Sequence, residues 1–207
     1  AKDSRGTMFV LDTENKTVDL VALPMQKFFS FGEGEPHLAK LHDVNNAKHI
    51  YLKEDGSLMT SYISPIDGEI KLKSKNNPEY VNKEVINKAL DINLRNDLYK
   101  AYKEEHLSID LELTSPENRV LMEYKDYKLH VLSARSLMTG EKIDLRNENV
   151  KNKYPFIYNS LVKEIDKKEF DLNRNDIEGF VLEMPNGELL KVKTIPYLSI
   201  VAVINIQ

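Results

Sequence analysis

The chain has no cysteine and no apolar run long enough to cross a membrane. Without cysteine, neither disulfide bonds nor thiolate zinc sites can form. A membrane-spanning helix needs roughly 20 consecutive apolar residues, and no stretch of this sequence approaches that length. The five histidines do not have the H-x-H or H-E-x-x-H spacing of metal-binding motifs. We therefore predict a cytoplasmic protein with no membrane partner.

An excess of basic residues is also missing. The 207 residues include 29 lysines and arginines and 33 acidic residues, which give a net charge of −4. Proteins that hold nucleic acid chiefly through its phosphates are usually basic. Any polynucleotide must therefore be bound in a local basic cleft, or by parts absent from this chain. With 41% hydrophobic and 30% charged residues, the composition is otherwise typical of a globular protein.

Alternating apolar residues predict most of the strands, and helical spacing predicts two helices. The predicted strands lie at 6–12, 18–24, 49–52, 57–63, 68–75, 107–113, 119–124, 127–135 and 178–194, the last as a hairpin that turns at Asn186-Gly187. Helices are predicted at about 79–105 and at 154–170. The β-branched tail at 199–207 does not indicate a helical domain. Strand groups interrupted by helices predict an α+β fold of mostly antiparallel sheets flanked by helices.

The four residues Lys53, Glu54, Asp55 and Gly56 separate two of the predicted strands. Asp-Gly between alternating strands is among the strongest hairpin signals, so the pattern predicts a hairpin turn here, held by the Asp55 carboxylate. A Lys-x-Asp-Gly string also arises by chance in roughly one chain in twenty of this length. These four residues alone therefore do not show whether Lys53 is a nucleophile.

Several lysines lie two residues apart on predicted strands, so that their ammonium groups point to one face. Lys191 and Lys193 form one such pair, and Lys71, Lys73 and Lys75 form a similar row. Cations aligned in this way repel one another, and an anionic ligand would relieve the repulsion. A solvated outer face is the alternative explanation for each group.

Two carboxylates lie at informative positions. Glu112 is on the polar side of a strand between Leu111 and Leu113, where simple solvent exposure explains it equally well. Glu178 precedes Gly179, and a glycine in a strand lets another group approach the backbone closely. Hard metals such as magnesium prefer oxygen ligands, so both carboxylates suit a metal or the hydroxyls of a sugar.

A lysine nucleophile must first lose its proton. At an ordinary pKa near 10.4, only about one lysine in 2,500 is neutral at pH 7. Nearby cations and partial desolvation lower that pKa. A site that places Lys53 beside Lys75, Lys191 and Lys193 would therefore activate the amine and also stabilise a transferring phosphoryl group.

Seven segments, taken in order, resemble the motif series of covalent nucleotidyltransferases, and most closely the phage-type RNA ligase 1 family. They are SRGTMF, PMQKFF, KEDGSL, KLKSK, LELTSPENRV, IEGF and LLKVK, and they extend from Ser4 to about Tyr197. The resemblance implies a single adenylyltransferase domain over 1–207, with the ATP pocket between sheets. Family members also carry a segment before the first motif and a helical domain after the last, and we expect this chain to lack both.

The same resemblance implies an ATP-dependent RNA ligase. Lys53 would attack the α-phosphate of ATP, expel pyrophosphate and form lysyl-AMP. AMP would then pass to an RNA 5′-phosphate, and a 3′-hydroxyl would displace it to seal the strand. The implied partners are ATP and RNA ends, with tRNA repair as one candidate task, and the implied cofactor is Mg²⁺ or Mn²⁺. If a phage encodes the protein, its location is the host cytoplasm.

Roles for individual residues follow from matching each motif. The implied catalytic residues are Lys53, Glu178, Lys191 and Lys193, with Glu178 near the α-phosphate and the two later lysines assisting the departure of pyrophosphate. The implied nucleotide-binding residues are Arg5, Lys27, Phe29, Gly56, Lys75, Glu112, Glu178, Lys191 and Lys193. Glu112 and Glu178 are the implied metal ligands. Phe28 is an alternative to Phe29, and Lys73 an alternative to Lys75. Tyr197 matches an aromatic residue after the last motif.

Three other interpretations remain open. DNA ligases and capping enzymes commonly have an arginine soon after the K-x-D-G motif, whereas Ser57-Leu58 here favours RNA ligases. A nucleotide-binding or self-adenylylating module could keep the fold without sealing RNA, although the complete set of motif lysines and glutamates favours retained chemistry. A purely structural domain would require every motif to be coincidental.

Overall fold

The computed structural model describes residues 5–31, 44–118 and 120–206, which belong to two compact units. The first unit consists of 1–27, 56–118 and 124–161. The second consists of 28–55, 119–123 and 162–207. The sequence prediction that 1–207 form one adenylyltransferase domain stays a prediction.

Among its described residues, the first unit contains a two-stranded ribbon, a five-stranded antiparallel sheet and four helices. Its elements are β1 (Met8–Asp12), β2 (Thr17–Ala22), β5 (Ser57–Ile63), β6 (Ile70–Lys73), α1 (Lys83–Ala89), α2 (Ile92–Glu105), β7 (Leu107–Thr114), β8 (Lys128–Ser136), β9 (Lys142–Ile143), α3 (Glu148–Lys153) and α4 (Pro155–Asn159). β1 pairs with β2, and the sheet order is β6-β5-β7-β8-β9.

Within the described ranges, the second unit contains a five-stranded sheet and one helix. Its elements are β3 (Phe29–Ser30), β4 (His49–Lys53), β10 (Glu164–Ile165), β11 (Gly179–Glu183), β12 (Leu189–Lys193) and α5 (Ile195–Ile206), with short 3-10 turns at Val44–Asn46 and Lys167–Glu169. The sheet order is β10-β4-β11-β12-β3. All of its pairings are antiparallel except the parallel pairing of β12 with β3.

Each unit has its own hydrophobic core on one face of its sheet. In the first unit, Ile109 and Leu111 of β7 pack with Leu98 of α2 in a fully buried cluster. In the second unit, Phe180 and Leu182 of β11 are fully buried among apolar residues of β4 and β12. Side chains alternate along a strand. The residues of β4, β11 and β12 that do not face this core therefore lie on the opposite face of the sheet.

The predicted hairpin at Lys53–Gly56 is wrong, because β4 and β5 belong to different sheets. β4 pairs with β10 and β11, and β5 pairs with β6 and β7. Gly56 also lacks the positive φ that a type I′ hairpin turn requires. Alternating apolar residues show that two strands exist, but do not show which strands are their partners.

The other strand predictions are confirmed except at 119–124. Residues 120–124 are not in a strand, and Arg119 lies outside the described residues. The β11–β12 hairpin turns as predicted, with Gly187 at a φ of +82°.

The helix predictions need more correction. The region 79–105 holds two helices. The first ends at its C-cap Leu90, whose backbone is extended, and Asp91 caps α2 by accepting hydrogen bonds from Asn93 N and Leu94 N. In the region 154–170, only Pro155–Asn159 is α-helical. The tail that did not indicate a helix forms α5 over Ile195–Ile206. No helix within the described ranges is long and apolar enough to span a membrane.

Candidate active site

Lys53 ends β4 and forms an ion pair with a buried glutamate. Its Nζ donates a hydrogen bond to Glu178 Oε2 at 2.8 Å, and the exposed fractions of the two side chains are 22% and 5%. The strand register explains the contact, because Lys53 lies opposite Gly179, the residue after Glu178. The Lys53 ammonium group is therefore held in place and remains partly accessible.

Glu178 also binds a second lysine. Its Oε1 lies 3.3 Å from Lys193 Nζ, and Lys193 lies opposite Gly179 on the other side of β11. A Cβ added at Gly179 would lie 2.1 Å from Val192 O, so the close fit of β12 requires glycine here. The Glu178 carboxylate thus contacts the ammonium groups of both Lys53, in the KEDG motif, and Lys193, in the KVK motif.

Lys191 lies on the same side of β12 as Lys193, as predicted. Its Nζ is 5.8 Å from the centre of the Phe28 ring. Phe29 lies opposite Leu190, which is fully buried, so the register points Phe29 to the core side of the sheet. The structure therefore brings Phe28, and not Phe29, to the face that carries the lysines.

The Asp55 carboxylate is buried and binds groups distant in sequence. Its Oδ2 accepts hydrogen bonds from Leu121 N and Met122 N, each at 2.7 Å, and its Oδ1 accepts one from the Tyr197 hydroxyl at 2.9 Å. Lys193 Nζ lies 4.9 Å from the centre of the Tyr197 ring. Asp55 therefore does not hold a hairpin turn. It fixes Tyr197 beside a predicted catalytic lysine.

In the first unit, Gly56 and Glu112 are brought together. Gly56 N donates a hydrogen bond to Glu112 Oε1 at 3.0 Å. A Cβ at Gly56 would lie 2.1 Å from Leu113 O, which explains why the backbone needs glycine here. Glu112 therefore has a positioning contact that the motif match did not suggest.

Of the predicted row of Lys71, Lys73 and Lys75, only Lys71 and Lys73 lie on one face of β6, because the strand ends at Lys73. Lys71 forms ion pairs with Asp67 and Glu79. Lys73 is buried, with its Nζ donating to Ser74 O at 2.6 Å, and burial lowers its pKa. Lys75 follows the end of β6 and is exposed.

The three lysines therefore have different surroundings. Of Lys73 and Lys75, only Lys75 is accessible to a ligand. Arg5 is exposed near it, since a Cβ at the next residue, Gly6, would lie 3.4 Å from Lys75 O.

Lys27 is exposed and follows a segment that is bound to polar residues of β7. Leu23 N donates to Ser108 Oγ at 3.1 Å, and Met25 N donates to Asp110 Oδ2 at 2.8 Å. Burial raises the pKa of Asp110 to about 7, although its hydrogen bonds act in the opposite direction. The sequence analysis missed Asp110, whose position between apolar strand residues was the available signal.

Asn118 is a second polar residue that the sequence analysis missed. Its Oδ1 accepts hydrogen bonds from the Ser57 hydroxyl at 2.9 Å and the Tyr80 hydroxyl at 3.0 Å. Its Nδ2 donates to Leu113 O at 2.8 Å. Asn118 therefore joins the residue after Gly56 to the end of β7. Its place six residues after Glu112, within the same motif, was the only sequence signal.

The donor chemistry around Glu178 fits a metal that arrives with a nucleotide. Within the described part of the chain, no three His, Cys, Asp or Glu side chains gather into a ligand set. Mg²⁺ commonly uses only one or two carboxylates together with substrate phosphates. Glu178 and Glu112 can each supply such a carboxylate, and their metal role stays a prediction.

Comparisons with known proteins agree with the fold and with the motifs. An archaeal ATP-dependent RNA ligase has 14% identity and a TM-score of 0.64, over 93% of this chain and 53% of its own. A Naegleria gruberi RNA ligase variant with ATP and Mn has 13% identity and a TM-score of 0.54, over 85% of this chain and 57% of its own. The same organism's ligase with PPi has 13% identity and a TM-score of 0.51, over 92% and 62%.

These structures share the antiparallel α+β nucleotidyltransferase fold, as predicted. This chain spans little more than half the length of the ligases it matches. A sequence-family model described as RNA ligase, of the phage type, matches residues 3–197. The chain therefore belongs to the RNA ligase family.

Proposed function

We propose that this chain is the adenylyltransferase core of an ATP-dependent RNA ligase, with Lys53 as the nucleophile. The observation that carries the proposal is the Lys53–Glu178–Lys193 contact, in which one buried carboxylate holds two ammonium groups at 2.8 and 3.3 Å. Family membership and the likeness to ligases solved with ATP, Mn and PPi support it. Without these lysines close together, the motifs would be only a sequence pattern.

In the proposed first step, Lys53 Nζ attacks the α-phosphorus of ATP. An N–P bond forms, the bond from the α-phosphorus to the bridging oxygen breaks, and pyrophosphate leaves. The proton that Nζ loses lies on its hydrogen bond to Glu178 Oε2, so Glu178 is the acceptor within reach. Lys191 and Lys193 would stabilise the charge on the phosphoryl group.

The second step occurs at the same phosphorus, and the third occurs at the phosphorus of the RNA 5′-phosphate. An oxygen of an RNA 5′-phosphate would attack the lysyl-AMP, break the N–P bond and form an adenylylated RNA end. A 3′-hydroxyl would then attack the 5′-phosphate and release AMP. Bound Mg²⁺ or Mn²⁺ would neutralise phosphate charge during these transfers. We include tRNA ends among the candidate substrates and the cytoplasm as the location.

Nucleotide contacts in the first unit are also part of the proposal. We assign Arg5, Lys27 and Lys75 to the phosphates or ribose, which their exposure permits. We assign Glu112 to the ribose or the metal. Its hydrogen bond to Gly56 N fixes it next to the nucleophile motif. In the second unit, Phe28 replaces Phe29 as the aromatic residue that we assign to the nucleotide, because Phe28 lies beside Lys191.

The first experiment is transfer of label from ATP labelled at the α-phosphate, in the presence of Mg²⁺. We expect an acid-labile label on the wild type, none on Lys53→Ala, and an unchanged level on Lys48→Ala, which removes an exposed lysine just before β4. Glu178→Gln should lower the labelling rate at least 100-fold, about 2.7 kcal/mol. Label on Lys53→Ala would rule out Lys53 as the nucleophile.

The second experiment tests sealing. A 5′-phosphorylated RNA with a free 3′-hydroxyl is incubated with the wild type and ATP, and circular or joined products are separated on a denaturing gel. Joined RNA would support the ligase proposal. Protein labelling without adenylylated or joined RNA would instead support the self-adenylylating module.

A further inference from the structure

The segment that follows β2 is bound by side chains of the first unit's sheet. Leu23 N donates a hydrogen bond to Ser108 Oγ at 3.1 Å, and Met25 N donates one to Asp110 Oδ2 at 2.8 Å. Both acceptors belong to β7 and are fully buried. Two backbone amides of an irregular segment are therefore fixed to one strand by side chains.

The side chains that bind the segment are themselves held in place. Asp110 Oδ1 accepts a hydrogen bond from the Thr60 hydroxyl at 2.7 Å, and Asp110 Oδ2 accepts one from the Ser133 hydroxyl at 3.3 Å. From β8, buried Arg135 donates through Nη1 to Pro24 O at 3.0 Å. The segment therefore cannot slide along the strand without breaking several buried hydrogen bonds, each of which is costly to lose.

The two amide contacts keep the segment in step with β7. One step of two residues along the segment, from 23 to 25, matches one step of two residues along the strand, from 108 to 110. An extended chain advances ~6.6 Å in two residues, so the matching steps indicate that the segment is extended alongside the strand. The next step along each chain reaches Lys27 and Glu112.

We infer that Asp110 is a positioning residue for the adenylylation reaction, because it sets the register that brings Lys27 towards Glu112 at the nucleotide. Asp110 is fully buried, so it acts through Lys27 and does not touch ATP. Lys27 is exposed, as a cation that meets a phosphate from solvent must be. The inference rests on the proposed function, in which Lys27 and Glu112 both contact the nucleotide.

The test measures KM for ATP and the rate at saturating ATP in the labelling reaction. Asp110→Ala removes the acceptor of Met25 N, so KM should rise about 10-fold. The saturating rate should change less than about 2-fold, because Lys27 binds the ground state and the transition state alike. Asp110→Asn keeps an oxygen for Met25 N and offers an N–H to the Thr60 hydroxyl, so KM should return to within about 3-fold of the wild type.

Asp97→Ala is the matched control for a merely structural role. Asp97 is another buried aspartate of the same unit, and its Oδ2 accepts hydrogen bonds from Phe156 N at 2.7 Å and Ile157 N at 3.3 Å. Asp97→Ala should lower the midpoint of urea unfolding, as Asp110→Ala does, and leave KM for ATP unaltered. An equal rise of KM in both variants would overturn the inference.

Combination with Lys27→Ala tests the route of the effect. If Asp110 acts through Lys27, Asp110→Ala should raise KM no further once the Lys27 side chain is gone. Rises of KM that multiply in the double variant would overturn the inference. Ser108→Ala removes the acceptor of Leu23 N and gives the same test in a milder form if Asp110→Ala does not fold.

A binding measurement separates this inference from the proposed function. Competition of ATP with a fluorescent ATP analogue is measured on Lys53→Ala, alone and combined with Asp110→Ala or Asp110→Asn. Weaker ATP binding with Asp110→Ala, recovered with Asp110→Asn, supports the positioning role even if the wild type forms no lysyl-AMP. Unaltered ATP binding with Asp110→Ala overturns it, even if the wild type labels itself with ATP.

Discussion

Lys73 shows how one position can differ from the strand pattern that contains it. Its neighbours on alternate positions are exposed or paired, but its own ammonium group is buried and donates to Ser74 O. Burial lowers its pKa below the ordinary 10.5, and the nearby charge of Asp110 partly opposes that change. Lys73 therefore lowers the stability of the folded chain at any pH at which it is charged. Its buried ammonium group is also unsuited to contact with the phosphate of a ligand that binds from solvent.

The buried position of Lys73 predicts how the stability of the folded chain changes with pH. The unfolded chain keeps the Lys73 proton up to a higher pH than the folded chain does, so the free energy of unfolding rises with pH between the two pKa values. Lys73→Met removes that effect. We expect Lys73→Met to be more stable than wild type at pH 8, because burial lowers the pKa of Lys73 in the folded chain. The advantage should shrink by pH 10.5.

Urea unfolding of both proteins at pH 8, 9 and 10.5 measures this difference. Working above pH 7 keeps the titration of Asp110 out of the comparison. The exposed Lys75→Met is the matched control and should follow the wild type at every pH. An advantage of Lys73→Met that grows with pH would contradict the assigned cause.

Asp55 predicts a stability effect that a turn residue would not have. Asp55→Ala would leave the partly buried amides of Leu121 and Met122 and the buried Tyr197 hydroxyl without this acceptor. We expect the free energy of unfolding to fall by about 3 kcal/mol, since each unsatisfied buried polar group costs about 1–3 kcal/mol. Tyr197→Phe should cost about 1 kcal/mol. In a double-mutant cycle by urea unfolding, Tyr197→Phe should have little further effect on Asp55→Ala; simple additivity would rule out the coupling.

At the scale of strands, Gly179 determines how closely β11 and β12 approach. Gly179→Ala would place a methyl group 2.1 Å from Val192 O and 2.8 Å from Lys193 Cα. Because both contacts are with backbone atoms, the strands must separate. We expect the free energy of unfolding to fall by about 3 kcal/mol or more, and the Lys53–Glu178–Lys193 contact to be lost. Urea unfolding and ATP labelling measure the two effects.

Gly187 supplies the control for this variant. It lies in the turn of the same hairpin, has a φ of +82°, and no heavy atom lies within 4 Å of a Cβ built there. Asparagine tolerates such a backbone, so Gly187→Asn should stay within about 1 kcal/mol of the wild type. Equal effects of the two substitutions would show that backbone conformation, and not close strand contact, limits this hairpin.

Local chemistry was enough to predict some elements and not others. The β11–β12 hairpin is set by Asn186-Gly187, which lies between its strands, so the sequence contains the whole signal. The residues around Asp55-Gly56 carry a similar signal, yet β4 pairs with β11, more than a hundred residues later. Two alternating segments fit either arrangement, because partner choice depends on distant strands.

The helix α5 was missed because β-branched residues outweighed its start signals. Thr194 Oγ1 accepts a hydrogen bond from Tyr197 N at 3.4 Å, and Pro196 occupies the first turn. Threonine followed by proline is a recognisable helix start that the tail's composition obscured. In the candidate site, motif order indicated Lys53, Glu178 and Lys193. The hydrogen bonds from Leu121 N and Met122 N to Asp55 could not be predicted in this way, because a backbone amide does not depend on the type of side chain.

At the scale of the whole molecule, a net charge of −4 limits how RNA can be bound. The charged groups that the proposed chemistry places at the phosphates are few, and in the second unit they are Lys53, Lys191 and Lys193. Attraction of RNA should therefore come from a local set of cations and not from the general surface. Binding to such a set has a weaker salt dependence than binding to an extended basic face.

The salt dependence of RNA binding tests this limit. For single strands, the slope of log K against log salt is about −0.7 for each phosphate neutralised, so the three lysines of the second unit predict a slope of about −2. The slope would reach about −4 if Arg5, Lys27 and Lys75 also contact RNA phosphates. Lys191→Ala should make the slope less steep by about 0.7, and Lys48→Ala should leave it unaltered. Fluorescence anisotropy of a 5′-phosphorylated oligoribonucleotide between 50 and 300 mM KCl (about a sixfold range) measures both. A slope steeper than about −4 would contradict the local set, because the six cations assigned in the two units cannot release that many counterions.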